Sequence, residues 1–275
     1  MKYGVEIVPF GTYADPRKIV QVAHAAEAAG WDGIFLWDHL AFTWGVPAAD
    51  PWVSLSAVAQ ATNRLRLGVN ITPLPRRRPQ ILATTLAGLD LLSAGRVTFG
   101  TGLGGVPLEF TAFGEREDAG TRAAMLDEGL VVLDGLLRGQ EVQHQGRFYT
   151  VNGVCLSPLP LQKPRPPIWI GGESKPALRR AAKWDGWVVS SVNEAAKMIK
   201  TPEEMAASWA YIRSFRDQIT GFDITMSGVS EPGDDDLTRA YAQAGVTWWL
   251  ESIFDLRGSM EKMLERIYAG PARCE

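Results

Sequence analysis

The sequence predicts an α/β fold, a single (β/α)8 TIM barrel, and three observations lead there. The 275 residues are 46% hydrophobic, which suits one large buried core. A short apolar strand, a loop and an amphipathic helix recur in turn along the chain. Residues 67–104 show the unit whole: apolar strand, Pro-broken loop, long helix, the turn Ser93-Ala94-Gly95-Arg96, a second strand and a glycine-rich end. Parallel strands require such a crossover, because a hairpin can join only antiparallel ones.

Element by element, strands are predicted over residues 3–9, 33–37, 65–71, 97–101, 167–171, 186–190, 223–227 and 247–250. Helices are predicted over 15–29, 51–61, 79–92, 121–137, 175–183, 202–216, 235–243 and 259–267. Asp15-Pro16, Asp50-Pro51 and Thr201-Pro202 each set a capping side chain before a proline at the first helical position. Eight strands alternating with eight helices are the arithmetic of a closed barrel. An open doubly wound sheet is the rival, but it expects a glycine-rich nucleotide loop after its first strand. Pro9-Phe10-Gly11-Thr12-Tyr13 stands there instead. Residues 140–165 break the rhythm with alternating polar and apolar residues around Gln145-Gly146, then a proline-rich return. They read as a small β-hairpin excursion inside one domain spanning 1–275.

Composition excludes several functions. A net charge of -3 without a basic stripe argues against nucleic acid as a partner. No apolar run reaches the ~18 residues of a membrane span, and the N-terminus lacks the pattern of a signal peptide. Cys155 and Cys274 suit neither a disulfide framework nor a metal site, so no metal is expected and the expected location is cytoplasmic.

In such barrels chemistry gathers where strands hand over to the following helices. Asp38-His39 ends the second strand and gives the catalytic candidates: an imidazole there suits a proton donor, and Asp38 orients either a substrate or a loop; the alternative for His39 is that it caps the next loop. Asn70 to Pro73 bring backbone polar groups to the mouth, including Thr72. Thr101-Gly102 opens a turn without Cβ obstruction. Gly171-Gly172-Glu173-Ser174 combines glycines, a hydroxyl and helix N–H groups, a pattern that cradles phosphate, with Glu173 expected to point away. Phe10, Trp44, Trp249 and Glu251 are expected to line a substrate pocket. Arg76-Arg77-Arg78 reads either as a solvated face with partners among nearby acids or as a partner for an acidic cofactor tail.

Trp37-Asp38-His39, the 67–104 unit and Ile168-Trp169-Ile170-Gly171-Gly172, in that order, resemble the luciferase-like monooxygenases, whose members use a flavin or a deazaflavin. The resemblance covers residues 3–182 and runs more thinly through Gly245-Val246-Thr247-Trp248-Trp249. It implies an oxidoreductase acting on a small-molecule substrate, with deazaflavin (coenzyme F420) or FMN as cofactor. It further implies His39 near the cofactor's reactive face, the cofactor phosphate at Gly171, Gly172 and Ser174, and a non-prolyl cis peptide near Val69-Asn70. Family habit implies a homodimer, and an FMN enzyme would draw on a separate flavin reductase as a two-component monooxygenase. Members acting on sugar phosphates carry a carboxylate directly after Gly-Thr-Gly; Leu103 occupies that position here and argues against that substrate. A cofactor-free ligand-binding barrel or a hydrolase is the alternative of another class, without a nucleophile elbow to support it.

Overall fold

The computed structural model describes residues 1–115 and 118–274. Eight strands, β1 (Lys2–Ile7), β2 (Gly33–Leu36), β3 (Arg66–Pro73), β4 (Val97–Gly102), β7 (Ile168–Gly171), β8 (Gly186–Val189), β9 (Asp223–Gly228) and β10 (Trp248–Ile253), close into a barrel in chain order. Every neighbouring pair is parallel. The helices α1 (Pro16–Ala28), α2 (Pro51–Ala61), α3 (Pro79–Leu92), α5 (Ala119–Leu137), α6 (Lys175–Ala181), α7 (Pro202–Arg213), α8 (Asp235–Gln243) and α9 (Met260–Tyr268) follow the strands, with the single turn α4 (Leu108–Thr111) inserted before α5. The predicted barrel is the observed one.

The caps act as the sequence suggests. Asp15 accepts from Arg17 N–H, Asp50 from Trp52 and Val53 N–H, and Thr201 forms a capping box with Glu204. The excursion is an antiparallel hairpin, β5 (Val142–Gln145) with β6 (Thr150–Val154). Glu128 of α5 fastens it by accepting from the backbone N–H groups of Arg147, Phe148 and Tyr149 and by pairing with His144.

Large rings plug the lumen. Phe35, Trp169 and Trp248 lie with centroids 5.4 to 5.9 Å apart. Space for them comes from glycines on the facing strands: a Cβ on Gly68 would fall 2.7 Å from Phe35, and one on Gly186 2.4 Å from Trp169. The lower barrel is therefore a packed core, and any ligand is confined to the mouth at the strand C-termini.

Two expectations about β10 change. The strand runs to Ile253, three residues beyond the predicted end at residue 250. Side chains alternate along it, so Trp248 and Leu250 join the lumen cluster with Phe35 while Trp249 faces outward against Tyr241 of α8. Glu251 shares the outward parity, which removes both Trp249 and Glu251 from the substrate pocket.

Candidate functional site

A buried charge network holds the exits of β2, β3 and β4 together. Both oxygens of Asp38 are engaged: Arg77 donates to each at 2.9 Å, and Thr72 Oγ1 and Arg76 add bonds at 2.9 and 3.2 Å. Arg76 also donates to Glu109 of α4 at 2.5 Å. Glu109 accepts from Leu40 N–H at 2.6 Å and lies 3.1 Å from His39 Nδ1. Burial would raise the pKa of Glu109, but the hydrogen bond and charge of His39, the charge of Arg76 and the Leu40 N–H overcome it and hold the carboxyl at about 2. An ionised Glu109 can only accept, so Nδ1 of His39 is the donor in this contact and Nε2 is the ring nitrogen that the contact leaves free.

This arrangement separates the roles of the predicted pair. His39 remains available, with 19% of its side chain exposed at the mouth. Asp38 is saturated by two arginines and a threonine, so it positions the loop and its charges instead of meeting substrate. Arg76 and Arg77 find the expected partners among nearby acids, though turned inward instead of lying on a solvated face; Arg78 is exposed.

Phe10, Trp37 and Trp44 surround His39, with centroids 6.1, 5.7 and 5.3 Å from the imidazole. Phe10 and Trp44 also line a cavity of about 340 Å³, together with Val8, Trp37, Val192 and Leu256. Both aromatic side chains predicted from the N-terminal loops therefore reach the pocket. Trp249 and Glu251 do not: Glu251 is wholly buried, accepts from Ser230 N–H and Oγ, and pairs with Arg257 and Arg266. It welds β10 to the segments beside it.

The other half of the mouth is built from glycine. The cis peptide is Asn70-Ile71, one bond beyond the predicted Val69-Asn70. A Cβ on Gly102 or Gly171 would stand 3.0 or 2.9 Å from the Ile71 side chain, so the two glycines let Ile71 seat directly against β4 and β7. Thr101 Oγ1 donates to Thr72 O at 2.9 Å, which fixes these two exits against each other. Gly172 has φ +121, where an L side chain would be strained. Ser174 caps α6 through Ala177 N–H at 3.4 Å, and Glu173 pairs with Lys200, which offsets its charge.

Between the halves lies a polar floor that sequence reasoning missed. Glu6 of β1 is fully buried, and Asn70 Nδ2 donates to its Oε1 at 2.7 Å. Burial raises its pKa, opposed by Ser227, Asn70, Trp37 and Ser252 around it. Even so, Glu6 Oε2, Asn70 Oδ1, Ser227 Oγ and Ser252 Oγ are buried without a hydrogen-bond partner. An acid in the middle of the apolar run Tyr3-Gly4-Val5-Glu6-Ile7 was the available signal. Glu109 gave none, since Val106-Pro107-Leu108-Glu109 has no periodicity to mark a site. Among the described residues, no group of three or more His, Cys, Asp or Glu could hold a metal ion.

A closed parallel barrel with a clamped histidine at a half-glycine, half-aromatic mouth defines the class of protein. The family model for luciferase-like monooxygenases matches residues 3–251, and the chain belongs to that family. It is 32% identical over 183 residues to an F420-dependent glucose-6-phosphate dehydrogenase of Microbacterium testaceum, covering 64% of this chain and 53% of that protein. It is 29% identical over 187 residues to an uncharacterised protein of Mycobacterium tuberculosis, covering 62% and 64% of the two. The matches thus span about half to two thirds of these relatives' lengths. Among solved structures, a monooxygenase from Streptomyces bottropensis superposes with a TM-score of 0.80 at 22% identity, over 97% of this chain and 96% of that one. The F420-dependent tetrahydromethanopterin reductase of Methanopyrus kandleri gives 0.76 at 18% identity, over 97% of both chains. These likenesses establish a shared fold.

Proposed function

We propose that the chain is a deazaflavin-dependent oxidoreductase that moves a hydride between coenzyme F420 and a small organic substrate at the barrel mouth. The observation that carries this reading is the clamp on His39, a histidine held by an ionised, buried Glu109 where the glycine half of the mouth meets the aromatic half. Family membership and the likeness to an F420-dependent dehydrogenase support it.

The residues present fit a flat ring with a phosphate tail. Gly172, at φ +121, offers a backbone turn without a side chain, and Asn70 Oδ1 is a buried acceptor without a donor. Asn70, Thr72, Thr101 and Gly102 would hold the ring, and Gly171, Gly172 and Ser174 the phosphate. The bound cofactor supplies the redox chemistry. His39 takes the proton of a substrate hydroxyl at Nε2, or returns it in the reverse direction. Glu109 stabilises the imidazolium that forms and keeps the ring in one orientation. Phe10, Trp37 and Trp44 exclude water from the reacting carbon.

A two-component FMN monooxygenase with a separate flavin reductase is the second reading, favoured by the family's description. A homodimer is supported by exposed Ile81, Leu91 and Leu92 on α3 and Val131 on α5. A reducing, cytoplasmic setting is supported by two free cysteines, and no helix among the described residues is long and apolar enough to cross a membrane. The test is a fluorescence titration of the purified protein with F420 and, separately, FMN. Tight F420 binding with weak FMN binding is expected; the reverse preference selects the monooxygenase, and binding of neither overturns both.

A further inference from the structure

The cavity beside His39 is more selective than a generic small-molecule site. Its walls are Val8, Phe10, Trp37, Trp44, Val192 and Leu256, and neither Lys nor Arg lines it. The charged residues that do line it, Glu194 and Asp255, are both acids, and both are exposed at the rim. An anion entering here would shed its hydration without gaining a countercharge and would pass two carboxylates. A volume of about 340 Å³ also stands at the small end of ligand pockets, which run from about 300 to 1,000 Å³.

The floor is the exception to this apolar lining. Ser252 of β10 lines the cavity, and its Oγ is buried without a partner. Its register neighbour on β1 is Glu6, whose Oε2 meets no donor in good geometry, and Ser227 of β9 stands beside the same carboxyl. Three strands thus gather polar oxygens at one level of the barrel, and Ser252 carries that layer to the wall of the largely apolar cavity. A buried polar atom left unpaired is costly, and a ligand group that pairs with it recovers that cost.

We propose that the substrate is an uncharged, mainly apolar compound of one or two rings that carries a neutral oxygen function, held at the floor by Ser252 with Glu6 behind it. Phosphorylated and carboxylated compounds are rejected. This rests on the reading of the cavity as the substrate site, and it deepens that reading by naming the class. Val192 and Ser252 are then specificity residues, one for charge at the wall and one for the oxygen at the floor.

Three probes with one ring system separate the possibilities: 2-naphthol, 2-naphthoate and 2-naphthyl phosphate, titrated calorimetrically into the full chain. Naphthol is expected to bind at least tenfold more tightly than either anion. Ser252→Ala should weaken naphthol about fivefold to tenfold with the thermal midpoint retained. Val192→Arg, in the half-buried segment that follows β8, should narrow or invert the preference for naphthol over the phosphate. Equal binding of the three probes, preference for an anion, or an unchanged preference in Val192→Arg overturns the proposal. If naphthol selectivity holds while F420 and FMN both fail to bind, the cavity's class stands and the oxidoreductase reading falls.

Discussion

Replacing Glu109 by glutamine tests the clamp on His39 directly. Glu109 sits at about 2, against an ordinary 4.5. At about 1.4 kcal/mol per tenfold change, that difference is about 3 kcal/mol of interaction in the folded state. Glutamine retains an acceptor for Leu40 N–H but turns an amide N–H₂ toward Arg76 or His39. Removing one partner from a buried ion pair costs about 3–5 kcal/mol, and Asp38 still holds Arg76, so about 2–3 kcal/mol is expected at neutral pH. The sign with pH follows from the lowered pKa: the stabilisation is complete above about 4.5 and is lost as pH falls toward 2. Urea denaturation of wild type and Glu109→Gln at pH 7, 5 and 3.5 should therefore give a gap that is full at the first two and smaller at the last. With a working assay, kcat should fall while KM stays, because His39 loses its orientation and the cavity keeps its walls. A gap under about 1 kcal/mol at pH 7, or one undiminished at pH 3.5, refutes the reasoning.

Three further outcomes are expected. Glu251→Gln should cost about 3–5 kcal/mol in denaturation, because Arg257 and Arg266 lose their buried countercharge, while F420 affinity of the folded protein stays as it was. Gly172→Ala places a Cβ 2.9 Å from that of Ala177 at φ +121, and should cost about 1–3 kcal/mol and weaken F420 at least tenfold by fluorescence titration. His39→Ala should leave F420 binding nearly unchanged and slow turnover by about 10²- to 10⁴-fold in steady-state assays.

The barrel was legible because its cause is periodic: apolar strands of period two, amphipathic helices and proline-marked caps recur in one order. Positions at strand exits were legible: Phe10 and Trp44 line the cavity at the mouth, and His39 stands beside them. Trp249 and Glu251 were misplaced because β10 continues to Ile253, and in a strand the parity of a residue decides which side it serves. Asp38, Arg76, Arg77 and Glu109 were read singly, yet their meaning is collective. Two acids and two arginines from three separated segments neutralise one another, and no local pattern announces a pairing across 33 positions such as Arg76 with Glu109. Glu6 was hidden by its company, one acid in an apolar strand that only closure of the barrel turns inward.

The most direct test of the divided mouth is hydrogen–deuterium exchange of the full chain with and without F420. Bound cofactor should slow exchange at residues 70–73, 101–105 and 171–177 and leave 192–194, on the cavity wall, unchanged. Protection confined to the cavity wall, or none at saturating F420, would contradict a cofactor seated on the glycine half.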